Sequence, residues 1–227
     1  HSATSFNPND FDTARADQRT NRAVTVPFEP GSIFKTIIAA GAVQTGDVSW
    51  ESKYFCENGL YLPPRGGKVS DHGNRYGVMT VADIIRVSSN IGMAKIGATM
   101  GNARLYAILQ RFGIGQRTGI DLPGEKGGYL PGRHEIDPLN LSIGQGPILI
   151  TPVQVLSLIS TVANGGNIWK PYIVKEILSP DGEKIKEFEP SLRKPVFIKS
   201  ETIDILQRGL KNVVLFGTGG QARVEGI

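Results

Sequence analysis

The sequence predicts an α+β fold, rich in helix, with its strands segregated from its helices. Three observations carry this. Apolar residues recur at helical spacing in several stretches, most of them opened by a capping or breaking residue. Two runs, Tyr172 to Leu178 and Lys184 to Phe188, meet across Pro180-Asp181-Gly182 as a β-hairpin. Between the helical stretches lie tracts rich in Gly and Pro that have no period of their own.

Residues 1–31 are polar and turn-rich, with a turn at Asn7-Pro8-Asn9-Asp10. Pro30 and Gly31 then break the chain, and Ser32 is placed to cap a helix. Ile33, Phe34, Ile37, Ile38 and Val43 follow at helical spacing, and Gly46 ends the run. Residues 47–79 read as irregular surface chain. Thr80 and Asp83 form a capping box with Asp in place of Glu, opening a short helix through Ile84, Ile85 and Val87. A bend at Ser88-Ser89-Asn90 leads to helices over Ile91–Met100 and Ala103–Phe112. Residues 113–150 read as an extended loop region. Thr151-Pro152 opens an apolar helix that Asn164-Gly165-Gly166 stops. A last amphipathic helix runs from about Ser200 to Val214, and Gly217-Thr218-Gly219-Gly220 breaks the chain again.

Composition narrows the class. A chain of 227 residues, 40% hydrophobic and 20% charged, has enough apolar material for a substantial core. Its net charge of +4 is mild, and no block of five or six like charges appears, which argues against nucleic acid as a partner. Apolar stretches are interrupted well short of the roughly 18 residues a membrane span needs. Cys56 is the single cysteine, so no internal disulfide forms. His1, His72 and His134 share no ligand spacing with one another or with Cys56, so no metal and no cofactor is expected. Asp71-His72 reads as a surface turn, and Trp50, Trp169, Phe216, Phe34 and Met93 as packing residues. Gly217-Thr218-Gly219-Gly220 follows a helix rather than a strand, the wrong setting for a phosphate cradle.

The chemistry concentrates at Ser32-Ile33-Phe34-Lys35. A serine hydroxyl is a poor nucleophile until a base takes its proton. Lys35 stands about one helical turn beyond Ser32, on the same face. Near the positive end of a helix dipole, and buried, its ammonium form is disfavoured. Spacing alone does not decide the matter, because Ser191-Leu192-Arg193-Lys194 matches it too. That second match runs into Pro195, lacks an apolar continuation, and reads as a solvated loop. A plain N-cap serine stays open as the reading of Ser32. Ser88-Ser89-Asn90, with its own look-alike at Ser5-Phe6-Asn7, is equally open to being a capping turn.

Taken together, further stretches point one way. Asn21-Arg22-Ala23 followed by Phe28-Glu29-Pro30-Gly31-Ser32-Ile33-Phe34-Lys35 resembles the active-site signature of class B penicillin-binding proteins, the monofunctional transpeptidases of septal and elongation growth. Other similar stretches arrive in family order: Phe6-Asn7-Pro8-Asn9, Ser88-Ser89-Asn90-Ile91-Gly92, Phe112-Gly113-Ile114-Gly115 and Leu122-Pro123-Gly124-Glu125. Ser142-Ile143-Gly144-Gln145-Gly146, Thr151-Pro152-Val153-Gln154, Ala163-Asn164-Gly165-Gly166 and Gly217-Thr218-Gly219 complete the set. The resemblance covers nearly the whole chain and leans slightly toward septal or spore-type members.

The resemblance implies a penicillin-binding, serine β-lactamase-like transpeptidase fold whose antiparallel sheet is incomplete in this chain. Residues 1–227 would form the transpeptidase domain, with a helical subdomain over roughly 47–150. Ser32 would attack the D-Ala-D-Ala carbonyl of a peptidoglycan stem peptide, and Lys35 would take its proton. Ser88 would relay a proton to the departing D-alanine, and Asn90 would bond Lys35 and the substrate amide. β-Lactam antibiotics would acylate Ser32. The family also uses a Lys-Thr-Gly or Lys-Ser-Gly strand, and no such triplet stands here, since Lys35-Thr36 is followed by Ile37. One oxyanion donor would be the Ser32 backbone N–H, the other on that strand, so residues 1–227 alone are expected to be inactive while the parent protein is active. The resemblance further implies an extracytoplasmic position, an N-terminal transmembrane anchor outside the chain, and partnership with a glycan polymerase and division or elongation proteins. Competing readings are a β-lactam sensor, a catalytically silent scaffold, or a serine β-lactamase or carboxypeptidase of the same superfamily. The lactamase reading needs a carboxylate to position water, with Glu125 and Glu135 as candidates.

Overall fold

A computed structural model describes residues 6–64, 67–73, 75–196 and 198–224. His1, Ser5 and residues 225–227 lie outside that description. Two short helices, α1 (Ala16–Arg19) and α2 (Arg22–Thr25), precede a 3₁₀ turn at Gly31–Ile33 that runs straight into α3 (Phe34–Gln44). Four short strands follow: β1 (Lys53–Phe55), β2 (Leu60–Tyr61), β3 (Val69–Ser70) and β4 (Val78–Thr80). Then come α4 (Val81–Val87), α5 (Asn90–Arg111), α6 (Pro138–Leu141) and α7 (Pro152–Ala163). The last part holds β5 (Asn167–Trp169), β6 (Glu176–Leu178), β7 (Lys184–Glu187), β8 (Leu192–Pro195) and α8 (Ser200–Phe216).

Helix α3 is the axis of the core. Phe34 through Ala42 are all buried, so this helix has no solvent face in its first turns, as expected of one surrounded by protein. Phe34, Ile37 and Ile38 pack in one cluster with Ile84 of α4 and Ile91, Met93 and Ile96 of α5. Each such side chain contributes about 1.5–3 kcal/mol by leaving water. Glycines set how closely the helices approach. A Cβ on Gly41 of α3 would stand 2.7 Å from Ile108 of α5, and one on Gly92 of α5 would stand 2.5 Å from Ile84 of α4. Gly97 does the same for α6, since a Cβ there would meet the Pro138 carbonyl oxygen at 2.5 Å.

The capping signals largely act as the sequence suggests. Thr80 accepts from the Asp83 N–H at 3.1 Å, while the Asp83 carboxylate accepts from the Thr80 hydroxyl at 2.7 Å rather than from its backbone. Thr151 and Gln154 form a full capping box on α7, with Pro152 in the first turn. The two helices read at 91–112 are one run, α5, broken at Gly101, where φ is +72°. Ser32 does not cap: it lies inside the 3₁₀ turn, behind Pro30, which already has helical dihedrals.

Every strand pairing among the described residues is antiparallel and two-stranded: β1 with β4, β2 with β3, β5 with β8, and β6 with β7. The 47–79 tract is thus less irregular than expected, since it holds the first two pairs. Ser191-Leu192-Arg193-Lys194 is not a solvated loop either. Leu192 and Lys194 pair with Trp169 and Ile168, and Pro195 closes the strand at its end, where a missing N–H is tolerated. Trp50, Phe34 and Met93 are buried, whereas Trp169 and Phe216 are exposed, contrary to a packing role. No helix among the described residues is long and apolar enough to cross a membrane.

Because Gly97 faces backbone, Gly97→Ala is expected to destabilise the fold by about 1–3 kcal/mol in denaturant unfolding. An unchanged midpoint would mean that α6 retreats freely and that the close approach is incidental.

Candidate active site

Five chain segments converge on one cleft of about 470 Å³, lined by Ser32, Ser88 and Asn90 together with Asp71, Gln145 and Thr218, among others. Ser32 reaches it through the turn that starts α3. Gly31 has φ +58°, a left-handed conformation that glycine adopts without strain. Its N–H donates to the Gly144 carbonyl at 2.9 Å. Gly144 in turn has φ +74°, and a Cβ there would fall 2.0 Å from the Gly31 carbonyl oxygen. The Ser142–Gly146 stretch therefore backs the serine turn, a role that sequence spacing did not disclose.

Lys35, one turn along α3, is only 2% exposed. Its amine donates to the Ser88 carbonyl at 2.6 Å, to Ser88 Oγ at 3.0 Å and to Asn90 Oδ1 at 2.6 Å. Burial pushes its pKa from 10.5 down to about 8, and the negative charge of Asp71 opposes that fall. No hydrogen bond joins the Ser32 hydroxyl to the Lys35 amine among the described residues; the lysine is turned toward Ser88 and Asn90. All four sequence-predicted residues nevertheless belong to one place.

The turn that carries Ser88 and Asn90 is held from several sides. Ser88 ends α4 with φ +59° and ψ +41°, a left-handed position where glycine is the usual occupant. A serine there is strained by on the order of 1 kcal/mol. Ser89, 1% exposed, caps α5 by accepting from the Gly92 N–H at 3.0 Å. Asn90 donates through Nδ2 to the Ser70 carbonyl at 2.8 Å, which leaves its Oδ1 facing Lys35. The neighbours thus fix which way the amide points.

The sequence predicts a surface turn at Asp71, whereas in the structure its carboxylate is turned onto the start of α5. Its Oδ1 accepts from the backbone N–H groups of Asn90 at 2.6 Å and Ile91 at 3.1 Å. Ser89 Oγ lies 3.0 Å from Oδ1 and 2.9 Å from Oδ2. A carboxylate at the start of α5 also meets the positive end of its dipole. The residue lies 18 positions before Ser89, in a tract with no periodic signal, so only tertiary structure reveals it. Nearby Cys56 is fully buried and burial pushes its thiol pKa up, which leaves it inert. Glu125 is bound by Thr118 and Gly119, and Glu135 by Gly132; neither lines the cleft.

A helix-rich α+β fold in which a serine and a Ser-x-Asn turn line one cleft, with a buried lysine bonded to that turn, falls in the class of penicillin-binding proteins. The profile described as the penicillin binding protein transpeptidase domain matches residues 1–227, and the chain belongs to that family. It is 32% identical over 233 residues to Stage V sporulation protein D of Bacillus subtilis, covering 97% of this chain and 35% of that protein. The chain thus spans about a third of that relative's length. The crystal structure of the D,D-transpeptidase domain of a peptidoglycan glycosyltransferase from Eggerthella lenta superposes with a TM-score of 0.82, covering 92% of this chain and 54% of that one. At 24% identity it speaks for the fold alone. Penicillin binding protein 3 of Mycobacterium tuberculosis, solved in complex with aztreonam, is 33% identical with a TM-score of 0.77, over 90% of this chain and 47% of that one.

Gly144→Ala is expected to cost about 1–3 kcal/mol of stability and to strip hydrogen-exchange protection from the Gly31 N–H. Retained protection at Gly31 would contradict the backing role of Gly144.

Proposed function

We propose that the protein carrying this chain is a peptidoglycan D,D-transpeptidase that works through a seryl acyl-enzyme on Ser32. The observation that carries this reading is a buried lysine amine held by Ser88 and Asn90, two residues that line the same cleft as Ser32. Ser32 Oγ attacks the penultimate D-alanine carbonyl of a stem peptide, its proton passing to neutral Lys35. The carbon–nitrogen bond to the terminal D-alanine breaks, and the leaving amine takes a proton relayed through Ser88. The 3.0 Å contact between Lys35 Nζ and Ser88 Oγ suits such a relay, because a neutral amine accepts where an ammonium donates. Asn90 steadies the lysine and bonds the substrate amide. The amine of a second stem peptide then displaces Ser32 from the ester, and the cross-link forms. β-Lactams acylate Ser32 as mimics of the donor peptide.

A β-lactamase would need a free carboxylate to aim water at the ester. Asp71, the single carboxylate lining the cleft among the described residues, is already engaged by Ser89, Asn90 and Ile91. That favours slow hydrolysis and hence transfer to an amine. In this reading residues 1–227 are part of a transpeptidase domain with a helical subdomain near 47–150. The domain acts outside the cytoplasmic membrane, anchored by an N-terminal helix and served by a glycan polymerase and division or elongation proteins.

Fluorescent penicillin added to the full-length protein is expected to label it, and Ser32→Ala to abolish the label. Lys35→Ala is expected to slow acylation about 10²–10⁴-fold. Since the amine is neutral above its pKa, the acylation rate is expected to rise as pH increases through about 8. Label that persists in Ser32→Ala would refute the reading, and label without cross-linking of synthetic stem peptides would point to a sensor.

A further inference from the structure

We propose that Asp71 is a positioning residue of the acylation centre, holding the Ser88-Ser89-Asn90 turn in place and supplying the negative charge that faces Lys35. The inference rests on the transpeptidase reading and deepens it. No sequence motif of the family resemblance contains Asp71, and the roles assigned to Ser32, Lys35, Ser88 and Asn90 leave it unused.

The geometry supports two separable tasks. The first is mechanical. Ser88 occupies a left-handed conformation that a serine does not prefer, so the turn needs outside restraint. Asp71 provides it through the N–H groups of Asn90 and Ile91 and the hydroxyl of Ser89. These are the first residues of α5 and its cap, so the same carboxylate sets where the helix starts and where the Asn90 side chain emerges. With the Ser70 carbonyl fixing the Asn90 amide, the β3 end of the chain and its following residue hold Asn90 by both its side chain and its backbone.

The second task is electrostatic. Among the described residues, the titratable groups that line the cleft are Asp71 and His72 from the chain after β3 and Tyr76 before β4, with Lys35 of α3 buried against Ser88 and Asn90. Of these, Asp71 is the one whose charge acts on Lys35, favouring the ammonium against burial. Removing that charge lets burial act unopposed, so the amine becomes neutral at lower pH.

The hydrogen-bond pattern separates the two tasks experimentally. Both backbone N–H groups point at Oδ1, and among the described residues Oδ2 meets the Ser89 hydroxyl alone, which can accept as well as donate. Asparagine therefore keeps the bonds, with its Nδ2 donating to Ser89, while losing the charge. Asp71→Asn and Asp71→Ala are made in the full-length protein, and acylation by fluorescent penicillin is followed from pH 5 to 10 beside thermal unfolding. Asp71→Asn is expected to shift the rising limb of the rate profile by about one pH unit toward acid, with little change in Tm. Asp71→Ala is expected to lose about 10²-fold in acylation rate at every pH, as a displaced turn would. Rescue by asparagine relative to alanine separates positioning from general destabilisation. A profile for Asp71→Asn that coincides with that of the parent overturns the electrostatic part. An Asp71→Ala rate equal to the parent's overturns the positioning part. Both of those failures leave labelling of the parent intact, whereas a parent that is never acylated at Ser32 overturns the transpeptidase reading and this inference together.

Discussion

A lysine amine taken out of water and fastened to a turn from a neighbouring helix is the constraint around which this domain is arranged. Lys35 is the only charged residue of α3, and that helix is otherwise a core element with no polar face in its first turns. Its pKa of about 8, against 10.5 in water, means that burial disfavours the ammonium more than Asp71 restores it. The depressed value lowers folded stability at neutral pH by about 3 kcal/mol. That loss is complete below the folded pKa and vanishes as pH rises toward the unfolded one. A domain tolerates such a loss when the rest of its core is tightly packed, and the cluster around Phe34, Ile37, Ile38, Ile91 and Met93 supplies that packing.

Close backbone approach is the means by which the site is assembled. Gly41 admits Ile108, Gly92 admits Ile84, and Gly144 admits the Gly31 carbonyl. The first two bring α3, α4 and α5 near enough for the lysine to touch both ends of the Ser88–Asn90 turn. The third fixes the loop from which Ser32 projects. Each approach is made by a residue with no side chain, so the functional groups are held by neighbours that carry no chemistry themselves.

What could be read from the sequence follows the range of the interactions. The spacings of Ser32 with Lys35 and of Ser88 with Asn90 are visible in the sequence, but each is equally compatible with a plain cap, and the family resemblance is what singles them out. Asp71 was misread because its partners lie 18 to 20 residues away across an aperiodic tract, and local pattern carries no trace of them. Gly144 was visible only as part of a family-like stretch, since its meaning lies in a contact with Gly31. The strand at Leu192–Pro195 reads as loop from its proline and its lack of an apolar continuation. An edge position accommodates both, and edge character cannot be read before the partner strand is known. Trp169 and Phe216 show the same limit in reverse, for large aromatic residues need not be covered by their own chain.

The left-handed backbone at Ser88 leads to a conflict between durability and chemistry. Glycine at that position would relax the chain and make the folded state sturdier, and nothing in the helix ending would object. The hydroxyl oxygen 3.0 Å from the lysine would vanish with the side chain, while the carbonyl contact would stay. A search for heat-resistant variants that scores survival alone would therefore drift toward the replacement that removes the proposed proton relay.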